Sequence, residues 1–294
     1  MTAVAPSVRH FLSLVKFSHT LFALPFAAIG FSLGFLTERP DSLFWIGVKV
    51  LLCMVLARNT AMAFNRLIDA DIDRRNPRTA VREIPAGVLS MRQVTWFVVI
   101  NSVLFILTTA TINLLCFALS PVALFVIMGY SYTKRITPLC HVILGLGLAL
   151  APIGAFMAVT GTIISEVILL GVAVLSWVGG FDIIYAMQDE SFDQENQLYS
   201  IPSWLGGKKA LRVSRLLHVV SFLSLASSLW LVQDHFQANI TLLILALFIF
   251  SSLLFYQHRL VSPDDLRKVN LAFFTTNGIA SVCFGILTIL SLFL

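Results

Sequence analysis

Charged residues are scarce in this sequence of 294 residues. Asp, Glu, Lys and Arg make up 12% of the chain and hydrophobic residues make up 58%, whereas an average soluble domain is roughly 25% charged. A chain with so few charges cannot cover itself with a water-facing polar surface, which excludes a soluble enzyme and a disordered regulator. The composition indicates an integral membrane protein.

Cysteine is also scarce, and its placement excludes a disulfide framework. The four residues are far apart, and no two have metal-site spacing: Cys53, Cys116, Cys140 and Cys283. We therefore expect packing thiols. Residues 1–10 lack the apolar core and the small-residue cleavage site of a secretory signal, so the first hydrophobic run is expected to remain as a helix.

The sequence is rich in long apolar runs. A helix needs about 20 mostly apolar residues to cross the bilayer core. Nine segments satisfy this, at about 17–36, 43–65, 93–112, 114–132, 139–160, 163–187, 210–233, 239–257 and 270–294. Only two polar stretches are long, at about 67–92 and 188–209. The sequence therefore predicts an all-α membrane protein in which residues 1–294 form a single domain, a bundle of nine transmembrane helices.

Lysine and arginine are unevenly distributed between the loops. If the N-terminus is cytoplasmic, all of them except Arg39, Lys49 and Arg58 lie toward the cytoplasm, as the positive-inside rule requires. Both long loops then face the cytoplasm and the C-terminus lies outside. The net charge of +5 is thus explained by the membrane surface, and no nucleic acid is expected. On the outer side, Glu166, Asp234 and His235 are expected to be solvated.

Acidic residues concentrate in two windows. Nine of the 15 Asp and Glu residues lie within 69–83 and 182–195. Each window follows an even-numbered span, the second and the sixth, so both lie at the same membrane face. This placement favours two diverged four-helix halves followed by a ninth helix.

Each acidic window places oxygen-bearing side chains on one face of a helix. In the first, the residues at i, i+4 and i+8 are Asn65, Asp69 and Asp73. In the second, the residues at i, i+7 and i+11 are Asp182, Asp189 and Asp193, with Tyr185 on the same side. Like charges so close together repel and are costly to bury, and a divalent cation removes both penalties. Because Mg²⁺ binds carboxylates together with substrate phosphates, these stripes predict magnesium ions around a diphosphate.

Basic residues accompany the acidic windows. Arg78 and Arg82 follow the first stripe, and Lys134 and Arg135 follow the fourth span. Guanidinium groups match the geometry of phosphate oxygens. Acids flanked by bases predict a metal-bridged anionic headgroup, whereas carboxylates alone would favour a path for cations.

These motifs resemble those of the UbiA superfamily of intramembrane prenyltransferases. Residues 65–73, with 78–87, resemble its first signature, and residues 182–193 resemble its second. The segment 130–135 is similar to the one that separates them. The fuller first signature has Asp directly after the Asn, whereas this chain has Arg66.

The resemblance implies Mg²⁺-dependent transfer of a polyprenyl group from a polyprenyl diphosphate to an aromatic acceptor such as 4-hydroxybenzoate, in ubiquinone or menaquinone biosynthesis. It is strongest to the bacterial 4-hydroxybenzoate polyprenyltransferases. Segments 17–26 and 180–186 are also similar to a subgroup associated with the futalosine route to menaquinone, so another aromatic intermediate is an alternative acceptor. The implied location is the bacterial inner membrane, with the active site toward the cytoplasm and the lipid bilayer as a further partner.

The site residues fall into three groups. The expected metal ligands are Asn65, Asp69, Asp73, Asp182, Asp189 and Asp193. The expected diphosphate-binding residues are Arg78, Arg82, Lys134 and Arg135. The expected catalytic residues are Asp69, Asp73, Asp182, Asp189, Lys134 and Tyr185. The alternative from a different class is a cation or anion transporter that uses the aspartates, but its acids are expected at the midplane and not at one face.

Overall fold

The computed structural model describes residues 8–14 and 22–294, which form two compact units. Of these residues, the first unit contains 8–14 and Val48–Tyr132, and the second contains 22–47 and Thr133–Leu294. Regular structure in this part of the chain is helical apart from one isolated bridge, between Ser262 and Asp265. The all-α class is therefore confirmed.

Thirteen α-helices occur in the described residues. In chain order they are α1 (Val8–Leu14), α2 (Leu24–Glu38), α3 (Leu43–Ile68), α4 (Ala70–Arg75), α5 (Met91–Ala110), α6 (Leu114–Thr133), α7 (Cys140–Thr160), α8 (Ser165–Ala186), α9 (Glu190–Glu195), α10 (Ile201–Leu205), α11 (Gly207–Phe236), α12 (Ile240–Leu260) and α13 (Asn277–Ser291). A 3₁₀ turn at Met187–Asp189 links α8 to α9, and a π-helical segment at Leu271–Thr276 precedes α13.

Eight helices of the described chain are long and apolar enough to cross a bilayer, and they match the second to ninth predicted spans. The first predicted span corresponds to α2, which is apolar but has only 15 residues. A helix needs about 20 residues to cross the bilayer core. Residues 17–21 of that span lie outside the described part of the chain. The protein is a multi-pass membrane protein, while the count of nine spans, the orientation and the two four-helix halves stay predictions.

The first unit has a small core. Its buried apolar side chains include Leu14 of α1, Ala63 of α3 and Val94 of α5. Polar residues also link the helices, since Asn59 Nδ2 of α3 donates to Asn101 Oδ1 of α5 at 3.1 Å. Much of the apolar surface of α5 and α6 is exposed, which in a membrane protein is the surface that faces lipid.

The second unit has a large aromatic core around α8. Trp177 of α8 is fully buried, and its ring lies 5.3 Å from that of Phe26 and 5.5 Å from that of Phe250. Glycine allows α7 to approach α8 closely, since a Cβ at Gly145 would lie 2.2 Å from the Leu175 carbonyl oxygen. This packing fixes α8, whose last turn carries Asp182.

The expectation that Glu166, Asp234 and His235 are solvated is wrong for Glu166, whereas Asp234 and His235 are exposed. Glu166 is buried in the first turn of α8 and is hydrogen-bonded to His235 Nδ1 near the end of α11. The Ser165 hydroxyl donates to its other carboxylate oxygen at 3.0 Å. A paired and hydrogen-bonded carboxylate can be buried, which the sequence pattern of a loop-end acid does not reveal.

Candidate functional site

The first acidic stripe lies where α3 meets α4. The Asp69 amide donates to the Asn65 carbonyl at 2.9 Å and the Asp73 amide to the Asp69 carbonyl at 2.7 Å, so i→i−4 bonding continues through the junction. Asn65, Asp69 and Asp73 therefore lie along one helical face. The Asn65 side-chain amide donates to Asp69 Oδ2 at 3.0 Å. Asp69 and Asp73 are buried, whereas Asp71 points outward and is exposed.

The loop after α4 returns a cation to this stripe. Arg82 Nη1 donates to Asp73 Oδ1 at 2.6 Å, and the Thr79 hydroxyl donates to the Asp73 carbonyl at 3.1 Å. Arg78, one turn earlier in the sequence, is exposed. Gly87, at φ 74°, supplies a turn later in the loop. Arg82 is thus paired with Asp73 in this structure. The spacing of the two residues in the sequence did not predict this contact.

The second oxygen of Asp73 is suited to a cation. Asp73 Oδ2 is buried and, among the described residues, accepts no hydrogen bond. A buried carboxylate oxygen without a partner is costly, and a metal ion or its bound water would satisfy it. Carboxylate and amide oxygens are hard ligands of the kind that Mg²⁺ prefers. The donor set of this stripe therefore fits magnesium.

Arg66 changes the charge of the first stripe. It occupies the position where the fuller signature has an acid, and it is buried near the end of α3. It interacts favourably with Asp73 and Glu83 and unfavourably with Arg82. The buried Asp73 therefore already has two arginines close by, before any metal binds.

Arg58, which lies two turns earlier in α3, is not among the predicted site residues. It is half-buried within the apolar helix and interacts with Tyr130 of α6. Because it precedes Asn65 by seven residues, it lies on the same helix face, about 10 Å deeper. A charged group inside a span is costly and is usually retained for function. That cost was a signal available in the sequence.

The second stripe begins in the last turn of α8. Asp182 Oδ2 lies 2.7 Å from His141 Nδ1 of α7, and the Asp182 side chain is 21% exposed. The predicted stripe assumed a continuous α-helix, but the 3₁₀ turn at Met187–Asp189 intervenes. Three residues at 3₁₀ spacing turn the face by about 60° relative to an α-helix. Asp189 and Asp193 are both half-buried beyond that turn.

Lys134 is the basic residue that joins the second stripe. It interacts electrostatically with Asp193, as do Asp189 and His141. The Tyr199 amide donates to the Lys134 carbonyl at 2.7 Å, which ties the chain after α6 to the segment that follows α9. Lys134 is therefore close enough to the second stripe to offset part of its negative charge.

The remaining predicted residues of this unit are placed nearby in the chain. Arg135 is half-buried beside Lys134 in sequence. The Tyr185 ring packs at 4.3 Å from the ring of Phe273, and is half-buried. An open pocket of about 530 Å³ lies beside Asp193 and is lined also by Tyr199 and Trp204. The contact with Phe273 makes Tyr185 a packing residue, and part of its side chain remains accessible.

The described residues of each unit contain no preassembled metal centre. In the part of the chain that the structure describes, no three His, Cys, Asp or Glu side chains lie close enough together to bind a metal ion by themselves. Mg²⁺ typically uses one or two carboxylates, several waters and substrate phosphates. The separate carboxylates of each stripe are compatible with that mode of binding.

Comparison with known proteins identifies the family. The model of the UbiA prenyltransferase family matches residues 23–279. The chain belongs to this family. The UbiA resemblance read from residues 65–73 and 182–193 is thereby confirmed.

Two curated relatives of this UbiA protein have the same name. The 4-hydroxybenzoate octaprenyltransferase of Francisella tularensis subsp. mediasiatica (strain FSC147) is 31% identical over 183 residues, which are 62% of this chain and 61% of the relative. The protein of that name from Aliivibrio fischeri (strain MJ11) is 31% identical over 182 residues, 62% of this chain and 60% of the relative. The matched region thus spans about three fifths of each relative's length.

Solved structures of UbiA homologs share the fold. The apo structure of a homolog from Aeropyrum pernix K1 has a TM-score of 0.81 and 29% identity, covering 92% of this chain and 97% of that chain. A homolog from Archaeoglobus fulgidus bound to GPP and Mg²⁺ has a TM-score of 0.72 and 23% identity, covering 97% of this chain and 100% of that chain. At that lower identity the likeness concerns the fold alone.

Proposed function

We propose that this UbiA protein transfers a polyprenyl group from a polyprenyl diphosphate to an aromatic acceptor such as 4-hydroxybenzoate, and that the transfer depends on Mg²⁺. The observation that carries the proposal is the buried Asp73 carboxylate, which has one oxygen on Arg82 and the other without a partner among the described residues. The names of the curated relatives support the acceptor class. The homolog bound to GPP and Mg²⁺ supports the donor and the metal.

The carboxylates and the basic residues have different proposed roles in binding the donor. The proposed metal ligands are Asn65, Asp69, Asp73, Asp182, Asp189 and Asp193. When bound, Mg²⁺ supplies Lewis-acid stabilisation to the departing diphosphate. Lys134 and Arg82, with Arg78 and Arg135, neutralise further charge on its oxygens.

The chemical step replaces one bond with another. The allylic C–O bond of the donor breaks, its electron pair leaves with the diphosphate, and a C–C bond forms at the ring carbon ortho to the acceptor's phenol oxygen. The ring then loses the proton from that carbon. Apolar helices exclude water from the allylic cation, and an aromatic face such as that of Tyr185 can stabilise it.

Arg58 is the proposed partner of the acceptor's carboxylate. It lies within the apolar part of α3, on the face that also carries Asn65, about two turns from the first stripe. A benzoate placed with its carboxylate on Arg58 would direct its phenol end toward the stripe. The desolvated guanidinium would hold the acceptor through a charge-assisted pair, which is strong when water is excluded.

The location follows from charge and family. We propose that the chain is a single prenyltransferase domain of the bacterial inner membrane, with the N-terminus and both long loops in the cytoplasm. The Lys and Arg asymmetry supports this orientation. A cytoplasmic site would have direct access to soluble aromatic acids. An aromatic intermediate of the futalosine route remains the alternative acceptor.

The test is a reconstituted transfer assay. Purified protein in lipid nanodiscs is given GPP, Mg²⁺ and 4-hydroxybenzoate, and diphosphate release and prenylated product are measured together, with EDTA as the control. Metal-dependent product supports the proposal, and a panel of other aromatic acids then identifies the preferred acceptor. Metal-dependent uptake into vesicles without any product would instead support the transporter.

A further inference from the structure

His141 connects three elements of the second unit. It lies in the first turn of α7 and is 2% exposed. Its Nδ1 lies 2.7 Å from Asp182 Oδ2 in the last turn of α8. Its Nε2 lies 3.3 Å from the backbone nitrogen of Ile201, the first residue of α10. Both ring nitrogens are therefore engaged.

The two partners fix the orientation of the ring. A backbone N–H can only donate, so the Ile201 amide donates to Nε2 of His141. Nδ1 of the same ring then faces Asp182 Oδ2 and orients that carboxylate.

The two helices that carry this pair, α7 and α8, are closely packed. One turn beyond His141, the close approach of Gly145 to the Leu175 backbone sets the spacing of α7 and α8. Nearer the pair, a Cβ at Gly179 would lie 3.4 Å from the His141 carbonyl oxygen. A ring held between such close backbones has little freedom to turn. The direction in which Asp182 points is consequently set by α7.

We infer that His141 is a positioning residue, which holds one oxygen of Asp182 so that the other faces the metal and diphosphate. The inference rests on the proposed function, because it assumes that Asp182 is a metal ligand. Hydrogen bonds to ligating groups orient them, and their loss typically weakens metal binding or activity about 10–100-fold. His141 acts through Asp182 and need not touch the substrate.

The protein offers a matched control at the other end of α8. His235 is hydrogen-bonded to the buried Glu166, which is also a pair between a histidine and a carboxylate on packed helices. Glu166 lies 16 residues before Asp182 in the sequence, which is about 24 Å along the helix. A loss of stability alone would be similar for the two pairs, whereas only the His141 pair should affect metal binding.

The experiment compares substitutions that keep or move the donor. The side-chain amide of Asn can donate from a position near Nδ1, whereas that of Gln reaches the position of Nε2. Mn²⁺ affinity is measured by EPR titration of each full-length variant with the thiolo analogue of GPP, and Mg²⁺-dependent kcat and KM are measured with GPP. We expect His141→Ala and His141→Gln to weaken Mn²⁺ binding 10–100-fold. We expect His141→Asn to retain it within about threefold, and His235→Asn to leave it unchanged.

The Asp182→Asn variant and the double variant separate the possible failures. If His141 acts through Asp182, adding His141→Ala to Asp182→Asn causes no further loss of Mn²⁺ affinity. Equal Mn²⁺ affinity in wild type, His141→Ala and His141→Gln, with Asp182→Asn impaired, would overturn the inference and leave the proposed function intact. Unchanged affinity in Asp182→Asn would instead remove Asp182 from the proposed site. If His141→Ala does not fold, the contrast between the Asn and Gln variants decides the question.

Discussion

The two acidic stripes differ in what balances their charge. In the first unit, Asp69 and Asp73 are buried, and the guanidinium groups of Arg82 and Arg66 lie close to Asp73. In the second unit, Asp182 is partly exposed and lies 2.7 Å from a ring nitrogen of His141. The first stripe is thus buried and compensated by two guanidinium groups, while the second is less buried and its first carboxylate is oriented by a histidine.

This difference predicts that the two stripes have different roles in ligand binding. Removing compensation from a buried carboxylate is costly, so Arg82 is needed for the first stripe to fold in the absence of ligand. The second stripe has three aspartates against Lys134 and His141, whereas the two aspartates of the first stripe lie in a segment with two arginines. The second stripe is therefore the more negative one and attracts divalent cations more strongly. We therefore expect the second stripe to contribute more to metal affinity and the first to contribute more to the placement of the diphosphate.

The largest expected effect is that of removing a carboxylate charge from either stripe. Asp73→Asn or Asp189→Asn should lower kcat/KM by about 10²–10³-fold, because each removes a group that stabilises the charge of the transition state. Asp189→Asn should also raise the Mg²⁺ concentration for half-maximal activity more than Asp73→Asn does. Steady-state kinetics across a Mg²⁺ titration measures both.

Asp71→Asn is the control for this prediction. Asp71 lies in the same segment, but its side chain is 90% exposed, so its loss should change activity by less than about twofold. If Asp71→Asn were as harmful as Asp73→Asn, the loop charge as a whole would matter and the stripe would not. Full activity of wild type in EDTA would contradict the metal requirement itself.

The next effect distinguishes the cations of the two units. Arg82→Met and Lys134→Met should each lower kcat, or raise the KM for the prenyl diphosphate, by about 10²-fold, and should leave the acceptor KM nearly unchanged. Only Arg82→Met should also lower stability markedly, by about 3 kcal/mol, because it leaves the buried Asp73 without its partner. Thermal unfolding in detergent measures that difference. Equal stability of the two variants would mean that the Arg82–Asp73 pair is not what stabilises the first stripe.

The parts of this molecule that could be predicted are those set by local sequence. Hydropathy gives the spans, because each span must be apolar over its own length, and helical periodicity gives the stripe from Asn65 to Asp73. Contacts between residues that are far apart in the sequence leave no comparable local pattern in it. Arg82 reaches Asp73 through a turn-rich loop, and His141 reaches Asp182 across 41 positions. The 3₁₀ turn that shifts the second stripe likewise depends on packing that a periodicity argument does not include.

A smaller effect is expected at the N-terminal end of α8, where a third acid is buried outside either stripe. Glu166→Gln or His235→Asn should reduce stability by about 1–3 kcal/mol, because each leaves a buried polar group with a poorer partner. Activity and Mg²⁺ dependence of the folded protein should stay within about twofold. The pair of measurements sharpens the comparison by separating burial of a carboxylate from its use. Loss of metal affinity in Glu166→Gln would mean that the stripes are coupled to the N-terminal end of α8.

The smallest effect concerns two lysines that are close in sequence to the second stripe. Lys208 and Lys209 are exposed in the first turn of α11, where the positive end of the helix dipole disfavours cations. Replacing both by Gln should therefore raise stability slightly, by about 0.3–1 kcal/mol each, and leave the kinetics with prenyl diphosphate unchanged within about twofold. Thermal unfolding and kinetics at low and high salt measure the two effects, since screening should abolish the gain in stability. If these variants lost activity as Lys134→Met is expected to, the diphosphate would have to be bound by the start of α11, and the basic residues assigned to the second stripe would have to be exchanged.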